Sequence, residues 1–279
     1  MTFELNRRSL LQGFAGLAMV AGSPVLACAK PPQITFDAHF HILEPGFPLV
    51  ENQGYLPPKY TLQQYQQDSK NWNATGGAIV SGSYQAFDQT YLIHTLSKLD
   101  RNWVGVTQLP FDISDDEIDR LAKARVRGVR FNLKRGESYD FGSISKLAHR
   151  VHKIGGMHSE FYADASTLVP YVSELRELPQ ISLDHLGLSR EGLPTLLKLV
   201  ESGAKVKASG FGRLNFDPLE VMKNISEINE DALIFGSDVP STRAKRPFEL
   251  RDVELIRDNF NEAISAKIFS ENGKSFYRI

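Results

Sequence analysis

The chain has 279 residues, 42% hydrophobic and 23% charged, which excludes a disordered segment and suffices for one sizeable core. A formal net charge of −1 excludes overall attraction to nucleic acid or an anionic surface, so the expected partners are small molecules recognised by local charge. The single cysteine, Cys28, lies close to the start, which leaves the remainder without a disulfide or thiol chemistry.

Residues 1–29 stand apart from the rest. Asn6-Arg7-Arg8-Ser9 precedes an apolar run from Gly13 to Ala21 and a small-residue zone ending Ala27-Cys28-Ala29. This charged, apolar and cleavable order resembles a twin-arginine export signal, and the run is shorter than the roughly 20 residues a membrane span needs. The expected location is therefore exported and periplasmic. Val25-Leu26-Ala27-Cys28 also resembles a lipobox, which would anchor the protein to the membrane through Cys28. Cleavage beside Ala27 or Ala29, with Cys28 incidental, is the alternative.

From residue 30 onward, short β-rich runs alternate with helical patterns. The first run, Ile34–Ile42, contains Phe36-Asp37-Ala38-His39-Phe40-His41-Ile42. Strict alternation along a strand places Asp37, His39 and His41 on one face, with the two imidazoles about 6.5–7 Å apart at the backbone. A Pro- and Gly-rich loop, 44–60, follows. Further strands are predicted at Gly77–Ser83, Trp103–Leu109, Gly128–Leu133, His158–Ala163, Ile181–Leu186, Lys205–Ser209 and Leu233–Gly236. Helices are predicted between them at 62–71, 88–99, 114–123, 143–154, 167–175, 191–201 and 217–228, with a last one at 248–258. Ser114-Asp115-Asp116-Glu117 offers a capping box, and Asp217-Pro218 an N-cap followed by proline in the first turn. Eight strands alternating with helices predict an α/β fold, a single distorted (β/α)8 barrel spanning 30–279.

Such barrels carry their chemistry at the C-terminal ends of the strands. The polar residues predicted there are His39 and His41 on the first strand, Ser81 and Ser83 on the second, Arg130 on the fourth, and Glu160 and Tyr162 on the fifth. Asp184 and His185 end the sixth, Arg213 follows the seventh, and Asp238 ends the eighth. His94, His149 and His152 fall on helices, and His158 at a strand start, so all four are set aside.

The motifs DAHFHI, LDHLG and FGSDVP, closed by NEAISAKIFSENGKSFY, resemble the amidohydrolase superfamily over nearly all of residues 30–279. With RGVRFN and KASGFGRLN, the chain is most similar to the branch of 2-pyrone-4,6-dicarboxylate lactonase and related lactonases. That resemblance implies hydrolysis of a small carboxylated or polyhydroxylated lactone. Metal-rich relatives have a bridging lysine or glutamate on strand 4 and a histidine on strand 5. Here those strands offer Arg130 with Asn132 and Glu160 with Tyr162, so a two-metal centre is not expected. What remains is either a metal-free site or one Zn²⁺ held by His39, His41, His185 and Asp238.

In either case Asp238 is the expected acid/base, with His39, His41 and His185 polarising the carbonyl. Arg130 and Arg213 are the expected anchors of substrate anions. Tyr162, Ser81 and Ser83 are expected to hydrogen-bond the substrate, with Tyr55 or Tyr60 reaching in from the first loop. Lys134 and Arg135 read first as a solvated basic loop and second as anion ligands. The rival enzyme reading is a Zn²⁺-dependent decarboxylase, and the rival outside enzymes is a non-catalytic exported binding protein. The sequence leaves the oligomeric state open.

Overall fold

The computed structural model describes Met1, 34–136 and 140–279, so the export signal, the lipobox and Cys28 lie outside the described residues. Residues 32–279 form one compact unit. Its strands are β1 (Thr35–Phe40), β2 (Ala74–Val80), β3 (Trp103–Thr107), β4 (Val126–Asn132), β5 (His158–Tyr162), β6 (Ile181–Leu183), β7 (Lys205–Ala208) and β8 (Leu233–Phe235). All seven consecutive pairs are parallel, in the order β1 to β8. Just past β8, Asp238 N–H donates to the His39 carbonyl at 2.7 Å and His41 N–H to the Val239 carbonyl at 2.8 Å, which closes the sheet into a barrel.

Helices α1 (Leu62–Asp68), α2 (Thr90–Ser97), α3 (Asp115–Lys123), α4 (Phe141–Gly155), α5 (Val172–Arg176), α6 (Leu193–Glu201), α7 (Pro218–Ile228) and α8 (Leu250–Asn259) follow the successive strands. Among the described residues no helix is long and apolar enough to cross a membrane. The large hydrophobic core lies between the strands and this helical layer. A smaller cluster, containing Phe36, Ala38, Val80, Val106, Ile234 and Tyr277, fills the lower barrel interior.

Several local expectations change. The segment predicted as a helix over 167–175 is largely a 3-10 turn, Ala165–Tyr171, because Pro170 lacks the N–H an α-helix needs there. At α3 only half the capping box forms: Ser114 accepts from Glu117 N–H at 3.2 Å, whereas the Glu117 carboxylate turns to the Arg120 guanidinium. The cap at α7 has the expected form, with Asp217 accepting from Leu219 N–H ahead of Pro218. Two further helices close the chain, α9 (Glu262–Ala266) and α10 (Asn272–Tyr277), and the last residue of α10, Tyr277, plugs the barrel floor.

Candidate active site

Strict alternation along β1 does not hold. Asp37 pairs with Gly77 and Phe40 with Ile79, so three residues of β1 advance against two of β2, which is a β-bulge. Asp37 therefore faces outward. Its carboxylate accepts from Tyr65 O–H (3.1 Å), Trp72 Nε1–H (3.3 Å), and both the N–H and O–H of Ser237. This pins the start of β1 to the β8 end, while burial lifts the Asp37 pKa to about 6 against those hydrogen bonds. Beyond the bulge, His39 and His41 point into the barrel mouth, their rings edge to face at 5.1 Å.

Asp238 is the hub. The Nε2 atoms of His41, His39 and His185 lie 3.5, 3.8 and 3.9 Å from its Oδ1. The Arg213 fork closes on the same carboxylate, Nε to Oδ2 at 2.7 Å and Nη2 to Oδ1 at 3.0 Å. Burial alone would raise the Asp238 pKa, but Arg213 and the surrounding imidazoles outweigh it and hold the carboxyl well below its usual range. Burial pushes His39 down to about 4 and His185 well below its ordinary value, so both rings are neutral near pH 7.

The second nitrogen of each ring is also placed. His41 Nδ1 meets the Val80 carbonyl at 2.7 Å, so that nitrogen carries the proton and Nε2 presents a lone pair. His185 Nδ1 contacts the Ser209 hydroxyl at 2.9 Å. His39 Nδ1 lies 3.2 Å from the Lys207 ammonium, which can only donate.

Both His185 (φ 51°) and Asp238 (φ 60°) occupy the left-handed region, which side-chain-bearing residues enter at a cost of order 1–3 kcal/mol each. Two glycines make room for the histidines His185 and His39. A Cβ on Gly210 would stand 2.5 Å from His185 Nδ1, and one on Gly236 would stand 2.7 Å from His39 Cβ.

Beneath the histidines lies a fully buried charge cluster that the sequence reading did not assemble. Lys207 Nζ sits 2.5 Å from Glu160 Oε2 and 3.5 Å from Asp184 Oδ1. Arg130 donates through Nε and Nη2 to Asp184 Oδ2 and through Nη1 to the Ser81 carbonyl. Glu160 Oε1 meets His158 Nε2 at 2.9 Å and accepts from Tyr277 O–H at 2.6 Å. Burial opposes ionisation of Glu160, but Lys207 overrides it and holds the carboxyl at about 2. Two cations thus balance two carboxylates.

The mouth is lined by His41, Ser83, Tyr162, His185 and four arginines, Arg130, Arg135, Arg213 and Arg243. Arg130 and Arg213, the expected anchors of substrate anions, are each forked onto a carboxylate of the protein. Arg135 and Arg243 are different: among the described residues neither has a carboxylate within ion-pair distance. The Arg135 Nη1 donates to Gln53 Oε1, and the Arg243 guanidinium lies over the Tyr55 ring at 4.5 Å. Burial, then the nearby Arg135 charge, lowers the Arg243 pKa.

Tyr162 stacks on Arg130 and meets His185 edge to face. Ser81 turns away from the mouth and bonds Tyr91 at 2.8 Å, so it is not positioned for substrate. Tyr60 points to Asp68 and does not reach the site. Lys134 lies at the rim, 3.7 Å from Asp164. Arg243 escaped the sequence reading because the run Ser241-Thr242-Arg243-Ala244-Lys245-Arg246 looks like an ordinary basic loop, with nothing to show which cation folds inward.

The donor set fits one divalent ion. His39 Nε2 is a buried nitrogen with no hydrogen-bond partner, and the His41 lone pair faces a carboxylate oxygen across 3.5 Å, two acceptors that a cation would reconcile. His39, His185 and Asp238 bring ligand atoms close enough together to share one ion, donors of the kind Zn²⁺ takes, with His41 Nε2 3.5 Å from Asp238 Oδ1 beside them. His39 could join only in the tautomer whose Nδ1–H turns to Asp184 Oδ1, 3.3 Å away.

Comparison with known proteins agrees with this architecture. A model of the amidohydrolase family, Amidohydro_2, matches residues 36–279. A 2-pyrone-4,6-dicarboxylate hydrolase of Comamonas testosteroni is 27% identical over 164 residues, 57% of this chain. The chain spans about half the length of that relative, 53%. Among solved structures, a probable 2-pyrone-4,6-dicarboxylic acid hydrolase of Acinetobacter baumannii, with citric acid bound, superposes with a TM-score of 0.77 at 19% identity, covering 88% of this chain and 99% of that one. An Agrobacterium tumefaciens protein superposes with a TM-score of 0.78 at 17% identity, covering 89% and 97%.

Proposed function

The chain belongs to the amidohydrolase family, and from its arginine-rimmed histidine site we propose that it hydrolyses a small lactone bearing two carboxylates. The observation that carries this reading is the pair Arg135 and Arg243, cations at the mouth with no carboxylate partner among the described residues. The two neighbouring guanidinium charges repel each other, and an arriving anion relieves that repulsion. A dianionic substrate supplies that anion. The hydrolase of Comamonas testosteroni, a relative of this chain, is named for such a substrate.

In this reading a water stands before Asp238 Oδ1 and the His41 Nε2 lone pair. Its oxygen attacks the lactone carbonyl carbon as Asp238 takes a proton. His185, with Nδ1 accepting from Ser209, directs Nε2–H at the developing oxyanion. The tetrahedral species then collapses, the ring C–O bond breaks, and Asp238 returns the proton to the departing ring oxygen. Arg213 ties the ionised Asp238 down strongly before substrate binds. A substrate carboxylate drawing on that guanidinium weakens the tie and raises the proton affinity of Asp238 toward the working range.

Arg135→Met or Arg243→Met should raise KM for 2-pyrone-4,6-dicarboxylate roughly 10–150-fold, the equivalent of one charge-assisted hydrogen bond. A neutral lactone should lose far less. Equal losses on both substrates, measured by steady-state kinetics, would assign the two arginines a structural role instead.

If loaded, Zn²⁺ at His39, His41, His185 and Asp238 would supply carbonyl polarisation or a more acidic water. We expect the protein's own groups to suffice, because Arg213 already engages both Asp238 oxygens and Lys207 already donates to His39. Chelator-treated protein should therefore keep most of its activity, and added Zn²⁺ should change it little. Metal analysis of the same sample alongside its rate checks this; an inactive metal-free sample restored by stoichiometric Zn²⁺ would overturn it. We further propose that residues 1–29 direct export, which places the substrate in the periplasm.

A further inference from the structure

A second cavity of about 610 Å³ opens beside the arginine-rimmed mouth. The two share Ser83 and Arg135 in their walls. Its far side is apolar, built from Ala86 and Phe87 after β2 and from Pro110 and Phe111 after β3. Phe87 keeps 49% of its surface exposed, a large apolar area left uncovered in a protein that buries most of its aromatic rings.

These walls are fixed in place. Gln108 Nε2 donates to the carbonyls of Gly82 (2.9 Å) and Ala86 (3.3 Å), and Gln89 Nε2 donates to the Gln108 carbonyl at 3.1 Å. The turn carrying Phe87 is thus tied to the segment carrying Pro110 and Phe111. The cavity is large enough for an aromatic ring, while the charge-bearing part of a lactone is matched by the arginines next door.

Resting on the dicarboxylate reading above, we infer that this outer cavity is a subsite for an aryl arm carried by the substrate. The carboxylates sit at the arginines, the scissile ester sits at Asp238, and the arm passes Ser83 and Arg135 to lie between Phe87 and Phe111. The substrate class becomes aryl-substituted carboxylated lactones. A cation beside an aromatic floor suits such a ligand, because the guanidinium can hold a carboxylate while its plane faces a ring.

Calorimetry on the full-length protein tests this with two non-hydrolysable dianions, succinate and benzylsuccinate. Benzylsuccinate should bind roughly 10–100-fold more tightly, as expected for burying one phenyl group. In the Phe87→Ala/Phe111→Ala variant that advantage should fall to roughly threefold or less with succinate affinity unchanged, which also certifies the fold. Equal affinities in the unaltered protein, or an advantage that survives in the variant, would overturn the subsite while leaving the dicarboxylate reading standing. Failure of both dianions to bind would overturn the dicarboxylate reading and the subsite with it, whereas binding of succinate alone would overturn only the subsite.

Discussion

Asp238→Asn should cut turnover by a factor on the order of 10²–10⁴ while the barrel stays folded. Asparagine keeps the size of the side chain and removes its ability to take a proton from water. The residue is fully buried, three imidazole nitrogens converge on its Oδ1, and Arg213 orients it. No other carboxylate among the described residues holds that position: Asp184 and Glu160 lie below, committed to Arg130 and Lys207. Removing one partner of the Asp238–Arg213 pair destabilises, so near-UV circular dichroism must accompany the rate measurement. The double variant Asp238→Asn/Arg213→Met relieves the stranded charge and should be equally inactive. Near-normal turnover in a folded Asn variant would remove Asp238 from the chemistry.

The convergence of His39, His41, His185 and Asp238 was legible because barrel strands point the residues at their C-terminal ends to one rim, and the structure brings these four side chains together there. What the sequence left hidden has a common physical source. Period-2 alternation assumes an unbroken ladder, and the β1 bulge breaks it, sending Asp37 outward to Tyr65, Trp72 and Ser237. Partner choice is equally hidden. Arg130 and Arg213 read as anion anchors by type and position, yet each reaches a carboxylate more than twenty residues away in sequence. Arg135, ranked below them from sequence, is left without one among the described residues.

The left-handed backbone at His185 and Asp238 was likewise invisible, because it is imposed by the tertiary contacts around each turn. His185 leads into a 3-10 turn closed by Gly187 N–H to the Asp184 carbonyl, and Asp238 N–H is tied to the His39 carbonyl. Such strain persists only where the surroundings over-determine it. Here the barrel closure and the site share the same bonds, so the contacts that complete the fold also aim the carboxylate.

Lys207→Met should cost about 3–5 kcal/mol of stability, the range for removing one partner of a buried charge pair. Nothing in the sequence around Lys207 suggests this, since a single lysine in a β-run is ordinarily solvated. In the barrel it is fully buried, with Glu160 at 2.5 Å, Asp184 at 3.5 Å and His39 at 3.2 Å. Methionine replaces much of the aliphatic stem, so packing is largely kept and the loss is electrostatic: Glu160 and Asp184 remain, with Arg130 alone to balance them. The matched variant Glu160→Gln/Lys207→Met restores a neutral cluster and should recover most of the lost stability, a coupling that urea denaturation of the two single variants and the double variant measures directly. Additive losses would mean that the two side chains do not act as a pair. Activity supplies the second half of the argument. With no ammonium donating to Nδ1, His39 is free to turn its Nδ1–H to Asp184, which leaves a lone pair on Nε2 facing Asp238. The restabilised double variant should therefore fold well and still turn over slowly, and ¹⁵N resonances of His39 should show the proton moved from Nε2 to Nδ1. A double variant with full activity and an unchanged tautomer would confine Lys207 to holding the barrel together.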